Sequence, residues 1–330
     1  MYPIPSKKTS NRSLTWMTIR AMSATLSFKT DHLQAEAGHL PRADTGWAVP
    51  QLRQSAHLCF FNNNLEQKDI IVHIKNVLPD TLNIAFSPTL DTNLKEDQLI
   101  RHFDQPGKPP RPTLTHPAKV PRRAPSTLEG RAALIHSICH IEFNAINLAL
   151  DAVWRFDGMP DAFYRDWAQV AHEEAYHFSL LRAHLRGMAT LPDGSPRWDY
   201  GDFLAHDGLW EMCEKTAHDV VARMALVPRT LEARGLDATP QIQAKLRQVG
   251  TPDALAAVAI LDIILRDEVG HVAIGNHWYR WLCERDGLDP MAHYAVLTER
   301  YKAPKLRPPF NQEARRKAGF TAEEMAALAL

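Results

Sequence analysis

From residue 126 to residue 285, apolar residues recur every three or four positions in long runs, the period of helices with a buried face. Ser126-Thr127, with Gly130 close behind, gives a capping signal before an apolar-periodic run from 131 to about 155. Asp157-Gly158-Met159-Pro160 reads as a turn, and Pro160 suits the first turn of a second helix over about 161–186. Residues 187–206, with Pro192, Gly194 and Pro196, predict a long connection. A third helix is expected from near Asp207 to about Arg234 and a break at Gly235-Leu236-Asp237. A short helix from Pro240 to Gln248 then continues in roughly the same direction. Gly250-Thr251-Pro252 opens a fourth helix, running to about Arg285. The expected class is all-α: a four-helix bundle over 126–285 with its long crossover between helices 2 and 3.

The flanks lack that rhythm. Residues 1–104 are weakly periodic, and a β-branched run within 69–84 (Ile70, Ile71, Val72, Ile74, Val77) fits a strand or a helix segment equally. Residues 105–125, QPGKPPRPTLTHPAKVPRRAP, are too rich in proline for helix or sheet, and an extended basic tether over the surface is expected. Its Lys and Arg side chains permit contact with RNA or phosphate, although such stretches are more often merely solvated. Residues 286–330 are expected to form a helical and irregular tail on the bundle. No apolar stretch approaches the roughly 18–20 uncharged residues of a membrane span. Residues 1–30 also lack the apolar core of a secretory signal, so a cytoplasmic protein without membrane contact is expected.

Composition narrows the chemistry. Hydrophobic residues are 45% of the 330, enough for a sizeable core. Lys+Arg and Asp+Glu number 38 each, so no net field draws the chain to nucleic acid or an anionic membrane. Cys59, Cys139, Cys213 and Cys283 are scattered and form no C-x-x-C pair, which argues against a thiolate zinc site and a disulfide framework.

The second predicted helix contains Glu174-Ala-Tyr-His177 and the fourth contains Glu268-Val-Gly-His271. Residues three apart are separated by about 300° around a helix, so each carboxylate shares a face with its imidazole. One such pair is weak, but two in the middle of long helices are the donor set of a dimetal carboxylate bundle, which needs one further carboxylate from each remaining helix. Counting levels from the turns, Glu142 in HIEFN matches Glu174 across the first pair. Across the second pair the match to Glu268 is Glu232 if the short helix extends helix three, or Asp219 if the chain turns back at Gly235; Glu232 is favoured. Oxygen donors with one imidazole per ion suit two irons or a mixed manganese–iron pair. Burying these carboxylates without cations costs several kcal/mol each, so the set of six (Glu142, Glu174, His177, Glu232, Glu268, His271) outweighs a bland reading of any one. His136, His140 and His172 are expected behind the ligands or on the surface. His172-Glu173 begins an H-E-x-x-H pattern, but Tyr176 fills the second His position and that zinc motif is absent. Trp154, Trp167, Trp210, Trp278 and Trp281 are expected in the core, and Tyr176 is expected to pack.

The segments HIEFNAINLALDAVWRF, HEEAYHFSLL, AHDGLWEMCEKTAHDVVARMALVPRTLEARGLDATP and ILRDEVGHVAIGNHWY, with PFNQEARRKAGF near the end, resemble the bacterial ferritin-like family catalogued as domain of unknown function 455. The resemblance runs from about residue 105 to 319. It implies a ferritin-like bundle and favours Glu232 over Asp219, because LEARGLD belongs to the family pattern; residues 1–100 do not resemble the family's usual N-terminal part. It implies no established reaction. Three functions are compatible: an oxygen-activating diiron oxidoreductase, which is the expected one, a ferroxidase or metal-handling protein, and a protein whose dimetal site only stabilises the fold. An apolar tunnel to the metals would favour the first, a charged ion path the second and a sealed site the third. For the enzyme, a small-molecule substrate or an RNA is compatible, the electron donor is open, and a homodimer is allowed.

Overall fold

The structure, a computed structural model, describes Arg53, Ala56 and residues 105–328. The β-branched run at 69–84 lies outside these residues. Among the described residues there are helices and two isolated bridges but no strand, so the chain is all-α there.

Helix α1 spans Leu128–Arg155 and starts where Thr127 accepts a hydrogen bond from the Gly130 amide at 3.0 Å. A short turn, held by Tyr164 donating to the Phe156 carbonyl at 2.9 Å, leads to α2, Asp161–Gly187. So short a connection makes the two helices antiparallel neighbours, and they pack along their lengths. Trp167 and Phe163 of α2 are fully buried, as are Ile135 and Val153 of α1.

α1 is buried on nearly every side. One face carries Cys139, Glu142 and Ile146 inward, while His136, His140, Asn144, Asn147 and Asp151 form a buried polar stripe on another. The crossover covers that stripe. Gly201 donates its amide to His136 Nε2 at 2.9 Å, and Tyr200 OH lies 2.8 Å from His140 Nδ1. These histidines face the crossover, and burial pulls each imidazole down to about 4, which keeps it neutral at pH 7. On length and composition α1 could cross a membrane, which the sequence reading did not anticipate, but 78% of its most apolar stretch is buried inside the fold. The Pro-rich segment is extended and pairs with the crossover: Thr115 donates to Ala205 O at 2.9 Å, and Ala205 donates to Thr113 O at 3.2 Å.

The third helical segment departs from expectation. α3, Gly208–Lys215, ends at Thr216, and α4, Val220–Leu226, restarts where the Asp219 side chain accepts from Ala222 N at 2.9 Å. A π-helical turn, Val227–Glu232, follows and runs straight into α5, Ala233–Val249. No break occurs at Gly235. Glycine there costs only about 1 kcal/mol of helix propensity, and burial of Ala233 and Leu236 against Val272 and Phe320 outweighs it. The expected break is therefore displaced to 216–219, where Asp219 supplies a cap. Gly250, at φ +68°, then turns the chain into α6, Pro252–Arg285.

α6 packs on α2, α4, the π turn and α5. α7 (Pro290–Arg300) lies on α4, and α8 (Gln312–Lys317) and α9 (Ala322–Ala327) follow it. Trp210 and Trp278 join the core as expected, while Trp154 and Trp281 are partly buried at its edge. Between α6 and the π turn the backbones come close: a Cβ on Gly275 would meet Pro228 Cβ at 2.4 Å. Gly275→Ala is therefore expected to cost about 1–3 kcal/mol by overpacking, read as a lower unfolding midpoint in urea.

A candidate dimetal centre

α2 and α6 lie side by side, so their two E-x-x-H pairs face each other. His177 Nδ1 lies 3.3 Å from Glu174 Oε2 and 3.3 Å from Glu142 Oε2. His271 Nδ1 lies 2.9 Å from Glu174 Oε1 and 3.8 Å from Glu268 Oε1. Glu174 thus turns one oxygen toward each imidazole. One donor atom from each of Glu142, Glu174, His177 and Glu268 falls within 4.8 Å of the others. Glu232, at the end of the π turn, lies outside that cluster of four but near enough to feel the charges of Glu268, Glu174 and His271. All six side chains nominated from sequence are buried. Asp219 is elsewhere, capping α4 and accepting a hydrogen bond from Tyr301 OH at 3.3 Å.

The group is not satisfied by its own hydrogen bonds. Glu142 Oε2, Glu174 Oε1, Glu268 Oε2 and both oxygens of Glu232 have no hydrogen-bond partner. His271 Nδ1 and Glu174 Oε1 are close enough to bond but misaligned, and both count among the unpartnered atoms. Buried polar atoms are normally paired, because leaving one unpaired costs about 1–3 kcal/mol or more. Several orphaned oxygens aimed into one space fit a cation between them, and an oxygen-rich set with two imidazoles fits iron or manganese.

Proton affinities show the same imbalance. Burial and the charge of Glu174 push the Glu142 carboxyl well up; burial and Glu268 do the same to Glu232, and burial and Glu174 raise Glu268. Burial also opposes charge on Glu174, but His271 and His177 outweigh it and hold that carboxylate ionised. Burial disfavours the imidazolium of His177, yet Asp267, Glu142 and Glu174 raise it well above its ordinary value, and Glu174 and Glu173 do so for His271.

Two carboxylates outside the six stand directly behind the histidines. Asp267 Oδ2 accepts from His177 Nε2 at 3.1 Å, and Glu173 Oε2 accepts from His271 Nε2 at 2.7 Å. Each helix therefore sends a carboxylate to the histidine of the other. Hydrogen bonds of this kind fix the ring and direct Nδ1 inward. The signal was legible: an acidic residue stands immediately before each Glu of the two motifs, Glu173-Glu174 and Asp267-Glu268. His172 is partly exposed, and Tyr176 is partly buried with its ring 6.4 Å from that of His177.

Residues 76–326 match a protein family whose description is "Protein of unknown function (DUF455)". The chain belongs to the DUF455 family. The match begins about thirty residues ahead of the segment that carried the resemblance in sequence, so part of the region before residue 105 belongs to the family as well. An uncharacterized protein of Haemophilus influenzae is 49% identical over 251 residues, covering 71% of this chain and 83% of its own length. No solved structure matches the chain.

Proposed function

We propose that this DUF455 member is a ferritin-like four-helix bundle that holds two metal ions and serves as an oxygen-dependent oxidoreductase. One observation carries the reading: Glu142, Glu174, His177 and Glu268 are buried with donor atoms within 4.8 Å of one another, His271 and Glu232 are buried beside them, and five carboxylate oxygens of the set are unpartnered. Glu142, Glu174 and His177 would hold one ion, and Glu174, Glu232, Glu268 and His271 the other. Asp267 and Glu173 orient the two imidazoles and keep Nδ1 directed at the ions. An iron pair held this way would supply electrons for the reduction of dioxygen. The π turn at Glu232 supports a working site, since such distortions of a regular helix concentrate at functional positions.

A metal-handling role is the second reading. It is favoured by the partly exposed carboxylates of Glu173 and Asp267, which lead charge from the surface toward the centre.

The test is metal content and optical response on protein purified without chelators. Two irons per chain, with a visible absorption band appearing when the reduced protein meets oxygen, is the expected result. A steady build-up of ferric iron beyond two per chain would select the metal-handling role instead. Metal-free protein that stays fully helical and refuses iron on titration would overturn both.

A further inference from the structure

The π turn that carries Glu232 is gripped by the end of the chain. Arg229, three residues before Glu232, is only 4% exposed. Its guanidinium donates to Asn276 Oδ1 at 2.5 Å and to Glu324 Oε1 at 2.7 Å. It also lies over the rings of Phe320, Tyr294 and Tyr279 at 4.8, 5.2 and 5.3 Å. The partners are themselves fixed. Asn276 donates to Ala318 O at 2.7 Å, and the other oxygen of Glu324 takes Arg280 at 2.8 Å and the Thr321 amide at 2.8 Å. Next to Arg229, Thr230 donates to Ala225 O at 2.8 Å and meets Tyr294 OH at 2.8 Å.

Tyr294, Phe320 and Glu324 lie beyond the helices that bear the six candidate ligands. A π turn is an uncommon conformation, less favourable than the ordinary helix on either side of it, and persists where its surroundings hold it. Reversion would rotate Glu232 relative to Glu268. The grip on Arg229 supplies that hold: Asn276 and Tyr279 contribute from α6, and Tyr294, Phe320 and Glu324 contribute from a part of the chain with no donor in the site.

We propose that the C-terminal segment is a latch that positions Glu232: with Arg229 clamped by Phe320 and Glu324, the π turn presents the fourth carboxylate, and without the clamp the second metal position is incomplete. Arg229 is a positioning residue, acting through the turn and not on the metals. The inference rests on the dimetal reading, but the latch itself is a property of the metal-free chain. Arg315, fully buried and bonded to Asp237 at 2.6 Å and Ala233 O at 3.3 Å, anchors the tail independently, so loss of Arg229 alone leaves the tail docked.

Two variants test it, Arg229→Met and the milder Glu324→Gln, each with two readouts. The first is hydrogen exchange on metal-free protein. Amides of 227–232 are expected to exchange roughly tenfold faster or more in Arg229→Met, with the rest of the bundle unchanged. The second is anaerobic ferrous titration, where the weaker of two sites is expected to lose about tenfold or more in affinity while the tighter is little changed. Glu324→Gln should shift both readouts in the same direction by less. Unchanged exchange at 227–232, faster exchange spread over the whole bundle, or equal weakening of both sites would each overturn the latch. If the unmodified protein takes up no iron, the dimetal reading falls, and the exchange experiment still decides the latch.

Discussion

Changing Glu174 and Glu268 together to alanine is expected to reduce metal content to background with the helical circular dichroism retained. Glu174 turns one oxygen toward His177 and the other toward His271, so its loss strikes both metal positions at once. Glu268 shares the same space with Glu142, Glu174 and His177 and lies 3.8 Å from His271. Losing a hydrogen-bond partner behind a ligand costs roughly 10–100-fold in metal affinity. Losing a ligand costs more, so both together should weaken binding by more than about 10²–10⁴-fold, the product of two such losses. The fold should survive, because the apolar core around Ile135, Val153, Phe163 and Trp167 packs without these side chains. Elemental analysis of the double variant beside the unmodified protein is the measurement. Unchanged metal content would remove these residues from the site.

Arg223→Met is expected to destabilise the protein by about 3 kcal/mol, the low end of the range for leaving a buried charge without its main partner. Arg223 is almost fully buried on α4 and pairs with Asp151 of α1, which is completely buried. It also donates to Thr216 Oγ1 at 2.9 Å and to Cys213 O at 2.6 Å, tying the end of α3 to the start of α4. The low end applies because Arg155 still reaches Asp151 at 2.8 Å. Adding Asp151→Leu should recover much of the loss, since an apolar pair of similar volume removes the stranded charge. Urea unfolding of the single and double variants measures both effects. A single variant as stable as the unmodified protein would mean that this contact does not hold α1 to the third helical segment.

The long helices were legible because their determinants are local. Thr127 and Pro160 at their starts and Gly250 at the final turn act within a few residues, and the apolar period runs unbroken between them. The two E-x-x-H pairs were legible for the same reason: three-residue spacing fixes a shared face before any packing occurs. Glu142 and Glu232 needed the further step of counting levels across turns, which works only where connections are short.

Tertiary structure decided what depends on contacts distant in sequence. Gly235 reads as a break, yet the helix runs through it, because Ala233 and Leu236 are buried under the C-terminal segment. The π turn has no local signature beyond Pro228; it is held by Phe320, Glu324 and Tyr294 and by the close approach of Gly275. His136 and His140 carry no mark of their neutral, crossover-facing role, which arises when Tyr200 and Gly201 fold back over α1. The crossed carboxylates lie between these extremes. Their acidic character stands in the sequence before each motif, but that Asp267 serves His177 and Glu173 serves His271 follows only from setting α2 against α6. Sequence alone determined which faces carry the donors, because helical periodicity is a short-range property. The partner of each donor, and the turn that presents Glu232, were set by packing between segments some fifty to a hundred residues apart.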